Sequence, residues 1–291
     1  MIPHDTITSA GNPRVREAAR LRDSDARRET GLTLVDGRRE LARAARGGVP
    51  IEQVFVDADA QPLLEDGRGP REPDEPDLAA LATGGCRITV LSRRAFERIA
   101  YGGRNEGLVG VARWQAGDLA ALRLAADRPA LILEGVEKPG NLGAILRTAD
   151  AAGLAGVVVC DGRTDAANPA VIRASLGTVF TVPLAAASAA EAIGWCHATG
   201  RRVLAAMPAG STLWHEARLA GPTAILLGSE AWGISTAWHE AAAAGRIGLD
   251  SVRLPMAGAA DSLNVAATAA VLAYEAVRQR NAVASCDRSS R

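Results

Sequence analysis

The sequence predicts an α/β protein with two domains, the larger C-terminal one built on a doubly wound parallel sheet and the smaller N-terminal one also α/β. From residue 128 onward, near-continuous apolar segments alternate with helical segments, as in a parallel sheet covered on both faces. Residues 1–113 show a shorter alternation of strands and helices. The 291 residues, 48% of them hydrophobic, suffice for two separate cores.

Composition excludes several classes of protein. No run of about 18 apolar residues occurs, which argues against a membrane-spanning helix. The first residues lack the pattern of a secretory signal, so we expect a cytoplasmic protein. The four cysteines lie far apart without C-x-x-C spacing, and no two of the four histidines share metal-ligand spacing. We therefore expect reduced thiols and no bound metal.

The formal net charge of zero conceals an uneven distribution along the chain. Residues 1–50 carry a net charge of +3, residues 51–77 carry −7, and residues 78–113 carry +4. Two basic segments therefore flank an acidic one, while residues 114–291 are balanced. A polyanion would have to bind through local patches, since net charge offers no general attraction.

The N-terminal domain, residues 1–113, is expected to begin with an arginine-rich helix over 12–29 that starts at Asn12-Pro13. Its basic face is interpreted either as a solvated surface or as an RNA contact. Residues 57–77 are polar, acidic and rich in Pro and Gly, so we expect a surface loop without fixed structure. Strands are expected at 32–35, 51–56, 88–91 and 108–112, helices at 36–46 and 92–100, and a helical turn at 78–82.

After a linker at 114–127, the second domain is expected to span residues 128–281 and to be followed by a disordered tail at 282–291. The alanine-rich last helix suits either a buried position or a subunit interface. Strands are expected at 130–136, 156–160, 203–206, 223–227 and 247–254, and helices at 141–152, 169–176, 189–199, 235–244 and 263–280.

A junction near the C-terminus organises this domain. A strand stops at Pro255, which has no N–H to extend a ladder, and a Gly/Ala/Asp/Ser loop leads to the last helix. Ser262 or Asn264 is expected to cap that helix, where unpaired N–H groups suit an anionic ligand. An ordinary capped helix explains the same pattern equally well.

Two earlier motifs favour a ligand-binding site over an ordinary capped helix. The chain carries N-x-G-x-x-x-R at 141–147, G-S-E-x-x-G-I-S at 228–235 and P-M-x-G-x-x-x-S-L-N-V at 255–265. In this order and spacing they resemble the SpoU (TrmH-like) family of RNA ribose 2′-O-methyltransferases, over about residues 128–281. The resemblance implies S-adenosylmethionine as cofactor, a C-terminal trefoil knot, and a homodimer whose sites form beside the subunit interface.

The resemblance also implies roles for individual residues. The matching arginine, Arg147, is the proposed catalytic residue of the family, yet a guanidinium is a poor proton acceptor. We expect Arg147 to bind the phosphate of the reacting nucleotide and to stabilise the developing alkoxide, and whether it also takes the proton is left open. Asn141 is expected to cap its helix or orient the ribose, and Glu230 to hold the active-site loops or Arg147. Ser262 and Asn264 complete the candidate catalytic set.

In the family the cofactor is bound by the knotted loops, largely through backbone groups. Gly228 suits close approach of the backbone to a ligand, and the neighbouring apolar residues suit contact with adenine or core packing. The candidate cofactor residues are Met207, Gly228, Leu254, Met256 and Leu263. Gly140 and Gly143 approach a dinucleotide-binding glycine loop only weakly.

Many members of the family carry an N-terminal RNA-binding domain similar to small ribosomal proteins. The phrase at residues 34–41, Leu-Val-Asp-Gly-Arg-Arg-Glu-Leu, resembles the opening of that domain. Arg38 and Arg39 within it, together with Arg173 in the second domain, are candidate RNA ligands, although ordinary surface charge accounts for Arg173 nearly as well.

The sequence therefore predicts methylation of a ribose 2′-hydroxyl in structured RNA, with 23S rRNA as the preferred substrate, in a housekeeping or an antibiotic-resistance role. Transfer RNA is the second substrate class. A catalytically idle RNA-binding protein of the same fold and a nicotinamide-dependent oxidoreductase are the alternatives of other classes. The five polar motif residues argue against the idle protein, which would have little need for all of them.

Overall fold

The computed structural model describes residues 2–65, 72, 74–101 and 106–289. The strands are β1 (Asp5–Ile7), β2 (Leu32–Asp36), β3 (Ile51–Asp57), β4 (Arg87–Leu91), β5 (Leu108–Arg113), β6 (Gly117–Asp118), β7 (Ala130–Glu134), β8 (Gly156–Cys160), β9 (Leu184–Ala187), β10 (Arg202–Ala206), β11 (Thr212–Leu213), β12 (Thr223–Leu227) and β13 (Leu249–Arg253). The helices are α1 (Pro13–Arg20), α2 (Ser24–Thr30), α3 (Arg38–Arg46), α4 (Pro62–Glu65), α5 (Leu78–Thr83), α6 (Arg93–Phe96), α7 (Pro139–Ala152), α8 (Pro169–Ala174), α9 (Ala189–Thr199), α10 (Thr236–Ala243) and α11 (Val265–Ser289). Single 3₁₀ turns lie at Ala58–Ala60 and Thr178–Phe180.

The first compact unit comprises Met1–Gln115 together with Asp165–Thr181. In its described part, a five-stranded sheet has the order β1-β4-β3-β5-β2. Strands β1, β4 and β3 run parallel, whereas β5 is antiparallel to both of its neighbours. Apolar side chains of the sheet and of α1 and α6, among them Val15, Phe55 and Phe96, form its core. The predicted α/β character of this region is therefore present.

The segment Asp165–Thr181, which carries α8, packs with the first unit although the sequence analysis placed it within residues 128–281. The hydroxyl of Thr33 in β2 donates to the carbonyl of Ala167 at 2.5 Å, and Arg43 in α3 donates to that of Leu176 at 2.9 Å. These contacts join parts of the chain more than 130 residues apart, which no local pattern reveals.

The arginine-rich region at 12–29 forms two helices, so the prediction of one continuous helix was wrong. Helices α1 and α2 are separated by three residues. The guanidinium of Arg27, a buried residue, donates to the carbonyls of Leu21 and Arg22 at 2.9 and 2.7 Å. The amphipathic pattern assigned Arg27 to the surface, but its side chain turns inward. There it satisfies the carbonyls at the break between the two helices.

Other boundaries in this unit also differ. Strand β1, which the sequence analysis missed, adds to the edge of the sheet beside β4. Helix α6 has only four residues, and the Ser92 hydroxyl donates to the Thr8 carbonyl instead of capping it. The acidic segment predicted to lack fixed structure contains α4 and a 3₁₀ turn, while its residues 66–71 and 73 lie outside the described residues.

The second unit comprises Ala116–Thr164 and Val182–Arg291. In its described residues an eight-stranded sheet has the order β11-β13-β10-β12-β7-β8-β9-β6. Every pairing is parallel. The chain passes from β7 to β8 and β9 on one side and then crosses to β10 and β12 on the other. Strands β7 and β12 therefore flank the point where the winding reverses, and ligands bind such sheets outside the carboxyl ends of these strands.

Three short strands of this sheet, β6, β9 and β11, were not predicted. Strand β6 lies in the proposed linker and pairs with β9, and Leu119 after it is buried in the core. Strand β11 pairs with β13 at the opposite edge. Strands of two to four residues are too short to show an apolar period of their own.

Helix α11 also departs from its predicted end. It continues to Ser289, where the sequence analysis placed a tail without structure from residue 282. Residues 281–289 contain no Gly or Pro to terminate a helix.

Asp36, at the end of β2, is a buried carboxylate whose side chain is 3% exposed. It accepts from the backbone N–H of Tyr101 and pairs with Arg173 of α8 at 3.2 Å. Burial raises the pKa of Asp36 to about 6, although both partners and the charge of Arg22 act in the opposite direction and only Glu106 reinforces the rise. The folded state therefore binds a proton more tightly than the unfolded chain does.

We expect Asp36 to make the free energy of unfolding fall as pH rises. Its contribution is fully present below the ordinary pKa of 3.8 and is lost as pH rises through about 6. At about 1.4 kcal/mol per pKa unit, the loss is about 3 kcal/mol. Urea unfolding of wild type and Asp36→Asn from pH 4 to 7 measures it, because the asparagine does not titrate. A difference between the two proteins that stays constant with pH would contradict this assignment.

Candidate functional site

A cavity of about 470 Å³ opens at the carboxyl edge of the second unit's sheet. Its wall is formed by the residues that follow β10, β12 and β13 and by the loop that leads into α11. All five candidate cofactor residues line it: Met207, Gly228, Leu254, Met256 and Leu263. Leu254 and Met256 are only half-buried and Leu263 is exposed. Part of their apolar surface is therefore available to the cavity and is not buried in the core.

The loop after β12 is held by its own backbone. Ser229 and Gly233 exchange two N–H···O bonds of 3.0 Å each, and the N–H of Trp232 donates to the Ser229 hydroxyl. A Cβ on Gly228 would lie 2.2 Å from the Gly233 carbonyl carbon. Glycine is therefore required at position 228 by the return of the loop on itself, whatever ligand the cavity receives.

A buried carboxylate anchors the end of this loop. Glu134, the last residue of β7, accepts from the N–H and the hydroxyl of Ser235 at 2.8 and 2.7 Å. Ser235 precedes α10, so the first residues of that helix are tied to the neighbouring strand. The loop is thus fixed at both ends beside the point where the sheet reverses.

Four polar side chains meet next to the cavity, and we call them the Glu230 cluster: Lys138, Asn141, Glu230 and Asn264. Glu230 accepts from the Lys138 ammonium at 2.7 Å and from the amides of Asn141 and Asn264 at 3.0 Å each. The Asn264 amide also donates to the Asn141 carbonyl oxygen at 3.2 Å. Residues from all three sequence motifs are thereby joined in one hydrogen-bond network.

The electrostatics of the cluster favour the ionised forms. The hydrogen bond from Lys138 holds the pKa of Glu230 below its usual range, with help from Asn141. The same bond to Glu230 raises the pKa of Lys138. Glu230 is therefore a carboxylate and Lys138 an ammonium at neutral pH.

Asn264 has a second role at the start of α11. Its side-chain oxygen accepts from the N–H of Ala266 at 2.9 Å, which caps the helix. Asn141, in contrast, does not cap α7: Lys138 occupies the cap position, and Asn141 lies within the first turn with its side chain turned to Glu230. Of the two roles considered for Asn141, the cap is excluded.

A second crevice of about 240 Å³ lies on the other side of Glu230. It is lined by residues 135–138 and 141, and it shares the wall 228–231 and Val265 with the larger cavity. Two adjoining spaces separated by one loop suit a pair of ligands that must meet.

The remaining candidate catalytic residues are placed differently. Ser262 lines the larger cavity. Arg147 is exposed on α7 and has no hydrogen-bond or ion-pair partner among the described residues. The described contacts of Glu230 therefore favour its role in holding the loops over a role in holding Arg147. Gly140 and Gly143 lie inside α7, so they do not form a dinucleotide-binding turn.

Lys138 was missed by the sequence analysis. The signal was available, because Lys138 is the single lysine of a chain whose other basic residues are all arginine. Its proximity to Glu230, 92 residues later, was not predictable from spacing.

The candidate RNA ligands lie in the first unit and are paired with acidic groups. Arg38 contacts Glu75 at 3.6 Å, and Arg39 contacts Asp74 at 3.2 Å. Arg173 pairs with Asp36 and donates to the Tyr101 carbonyl at 2.6 Å. These contacts give Arg173 a structural role within the first unit.

Two absences concern the described part of the chain. No group of three or more His, Cys, Asp or Glu side chains there is arranged to hold a metal ion. None of its helices combines the length and the apolar character that crossing a membrane requires.

Comparison with known proteins agrees with this architecture. The SpoU rRNA Methylase family matches residues 128–274, and the MRM3-like substrate binding domain matches residues 12–110. The chain is 26% identical to the 23S rRNA (guanosine(2553)-2′-O)-methyltransferase RlmP of Bacillus subtilis, over 92% of the chain and 97% of the relative. It is 30% identical to the 23S rRNA (uridine(2479)-2′-O)-methyltransferase of Streptomyces viridochromogenes, over 90% and 88%.

Solved structures show the same fold. The AdoMet-bound rRNA methyltransferase from Sinorhizobium meliloti superposes with a TM-score of 0.80 at 28% sequence identity, covering 94% of this chain and 98% of that one. The likeness extends over both units, so the arrangement of strands and helices is shared along nearly the whole chain.

Proposed function

Because the chain belongs to the SpoU rRNA methylase family, we propose that it transfers a methyl group from S-adenosylmethionine to a ribose 2′-hydroxyl of 23S rRNA. The observation that carries the proposal is the Glu230 cluster, which joins the three motifs beside a cavity of cofactor size. An enzyme that modifies ribosomal RNA acts where ribosomes are, which supports the cytoplasm as its location.

The larger cavity fits S-adenosylmethionine. Its volume lies in the range of small-molecule sites, and its donor set combines apolar and polar walls. Leu254, Met256 and Leu263 would contact the adenine, while Ser262 and Asn264 suit the ribose or carboxylate. When bound, the cofactor supplies the activated methyl group.

The protein's own groups would position the acceptor. Asn141, Glu230 and Asn264 fix the loops around both crevices and keep the ribose in line with the methyl group. Arg147 would bind the phosphate of the reacting nucleotide and stabilise the negative charge that develops on the 2′-oxygen. With these roles assigned, the proton of the 2′-hydroxyl would be taken by Arg147, the substrate phosphate or water.

The finer architecture of the second unit is a proposal as well. We propose that the loops after β10, β12 and β13 form the trefoil knot of the family. The close fit between Gly210 and β13 supports it: a Cβ on Gly210 would lie 2.4 Å from the Val252 carbonyl carbon. The segment after β10 therefore lies against β13, and residues that follow all three strands line one cavity, as the knotted loops of the family do.

We propose that residues 1–113 bind the RNA substrate and that residues 128–281 carry the methyltransferase. The match to a substrate-binding domain supports the first assignment, and the strand–helix order supports a likeness to small ribosomal proteins. Arg38 and Arg39 would contact RNA phosphates after exchanging their carboxylate partners.

We also propose a homodimer formed through α11. Ala267, Val271 and Tyr274 follow one another at helical spacing on its outer face, and the Tyr274 side chain is exposed. The opposite face carries buried residues such as Leu272, and the helix packs against α7. An exposed apolar stripe on a long helix suits a second copy of the same surface.

The dimer proposal predicts that Tyr274→Asp halves the molecular mass in light scattering, because a charge in the interface would lack a partner. His239→Asp on the exposed face of α10 is the control and should leave the mass unchanged. A wild-type protein that is monomeric at high concentration would contradict the proposal.

The substrate is tested by incubating the protein with labelled S-adenosylmethionine and separate pools of unmodified rRNA and tRNA. Label recovered as 2′-O-methylated nucleotide in rRNA supports the proposal. Label in tRNA alone keeps the chemistry and replaces the substrate. Tight RNA binding without transfer to either pool would favour the catalytically idle protein.

A further inference from the structure

Trp232 lies at the tip of the loop after β12 with 84% of its surface exposed. The other four tryptophans of the chain are buried or half-buried. Indole carries a large apolar surface that a folded protein normally covers. In a sequence with only 3% aromatic residues, an indole left in solvent beside a cavity indicates a ligand that covers it.

The indole is carried by a rigid support. The paired backbone bonds of Ser229 and Gly233 close the loop, and the backbone N–H of Trp232 donates to the Ser229 hydroxyl at 3.0 Å. Gly233 has a φ of +68°, a backbone conformation that glycine adopts at little cost. Binding of a ligand to Trp232 therefore costs little conformational entropy, because the loop is already ordered.

The surroundings of Trp232 identify the chemistry of that ligand. Glu230 and Ala231, which precede it, line both the cofactor cavity and the smaller crevice. Lys138 also lines the smaller crevice; it is 69% exposed, has three N–H donors and directs one of them to Glu230. An indole thus directly follows the wall that the two spaces share, and an ammonium group lines the smaller one.

We propose that Trp232 and Lys138 form a nucleotide-binding lip, in which Trp232 stacks on the base of the nucleotide to be methylated and Lys138 binds its phosphate. The proposal rests on the proposed function and extends it to how the target nucleotide is held. Sequence-specific RNA recognition uses unpaired bases that stack on aromatic side chains. A cation beside a stacking surface is the common arrangement of single-strand sites.

A protein partner fits these surroundings less well. The core of a protein interface is a contiguous apolar patch depleted of charge. Trp232 is instead flanked by Ala231 and Gly233, and Glu230, two residues earlier, carries a carboxylate that pairs with the ammonium of Lys138. An isolated ring among small and charged groups suits a base and a phosphate.

The lip is tested with a 23S rRNA fragment in which wild type methylates one mapped ribose. A second fragment is abasic at that position and keeps its ribose and 2′-hydroxyl. Dissociation constants are measured by fluorescence anisotropy with S-adenosylhomocysteine present. We expect Trp232→Ala to weaken binding of the intact fragment about 5- to 150-fold, and to bind the abasic fragment as wild type does. Trp232→Phe should largely restore binding, and Trp232→Leu should not.

Lys138 is tested through the salt dependence of binding to the intact fragment. Lys138→Ala should lower the slope of log Kd against log salt concentration by about 0.7 to 0.9, the value for one phosphate contact. Lys138→Arg should keep the slope. Arg202→Ala removes another ion-paired cation, 3.0 Å from Asp250 and outside both crevices, and should leave the slope unchanged.

The possible failures are distinguishable. Calorimetry with S-adenosylhomocysteine shows whether each variant keeps the cofactor cavity. If wild type methylates its ribose but Trp232→Ala binds both fragments like wild type, or loses equal affinity for both, the lip is refuted and the proposed function stands. A change of molecular mass in Trp232→Ala would assign the ring to a subunit contact instead. If wild type methylates no ribose, the proposed function fails first and the lip with it.

Discussion

Arg147→Ala is expected to lower kcat for methyl transfer about 100- to 1,000-fold, the usual cost of removing a group that stabilises developing charge. The affinity for S-adenosylmethionine should stay nearly unchanged, because Arg147 lies outside the cofactor cavity and bonds to none of its walls in the described residues. Single-turnover transfer of labelled methyl, with RNA and cofactor both saturating, measures the chemical step.

Two variants make this result interpretable. Arg147→Lys keeps the positive charge but loses the planar guanidinium. An intermediate rate is therefore expected if the guanidinium binds a phosphate through two hydrogen bonds. Arg123→Ala removes another exposed arginine, one that donates only to nearby carbonyls such as that of Ala120, and should have no effect. A wild-type rate in Arg147→Ala would remove this residue from the reaction, and lost cofactor binding would make its role structural.

Gly228→Ala is expected to weaken cofactor binding about 5- to 150-fold and to destabilise the fold. The added methyl group would lie 2.2 to 2.5 Å from backbone atoms of Gly233 and Ile234, which have no flexible end to move aside. Overpacking of this kind costs about 1 to 3 kcal/mol, and its relief would displace the wall that carries Glu230. Calorimetry with S-adenosylmethionine and thermal unfolding measure the two effects.

Gly194→Ala is the matched control. Gly194 lies within α9, and a Cβ there would meet no atom within 4 Å. Alanine is favoured over glycine in a helix by about 1 kcal/mol, so stability should rise slightly and cofactor binding should not change. Equal behaviour of the two glycine variants would show that the close approach at Gly228 is not maintained in solution.

Much of the candidate site was predictable from its sequence. Asn141, Glu230 and Asn264 belong to three separate motifs, and hydrogen bonds join them across as many as 123 positions of sequence. The five candidate cofactor residues line one cavity. The catalytic roles of Asn141, Glu230 and Asn264 and the binding roles of the five cofactor residues remain predictions. Lys138 was not predicted, because nothing local distinguishes a lysine that pairs with a distant carboxylate from one in solvent.

The sequence by itself determined the class of the fold and most of its long elements. Strand β8 and helix α9 have their predicted bounds, because an unbroken apolar run and the capping box at Ser188 are local signals. The resemblance in the three motifs determined the family.

Only the tertiary structure decided which distant parts of the chain meet. The pairing of β12 with β7, the place of Asp165–Thr181 in the first unit and the inward turn of Arg27 all depend on partners far away in sequence. Short edge strands such as β6 and β11 likewise form only because a neighbouring strand offers its unpaired backbone groups. Local periodicity reports which face of a segment is buried, whereas the identity of the covering surface is set by packing of the whole chain.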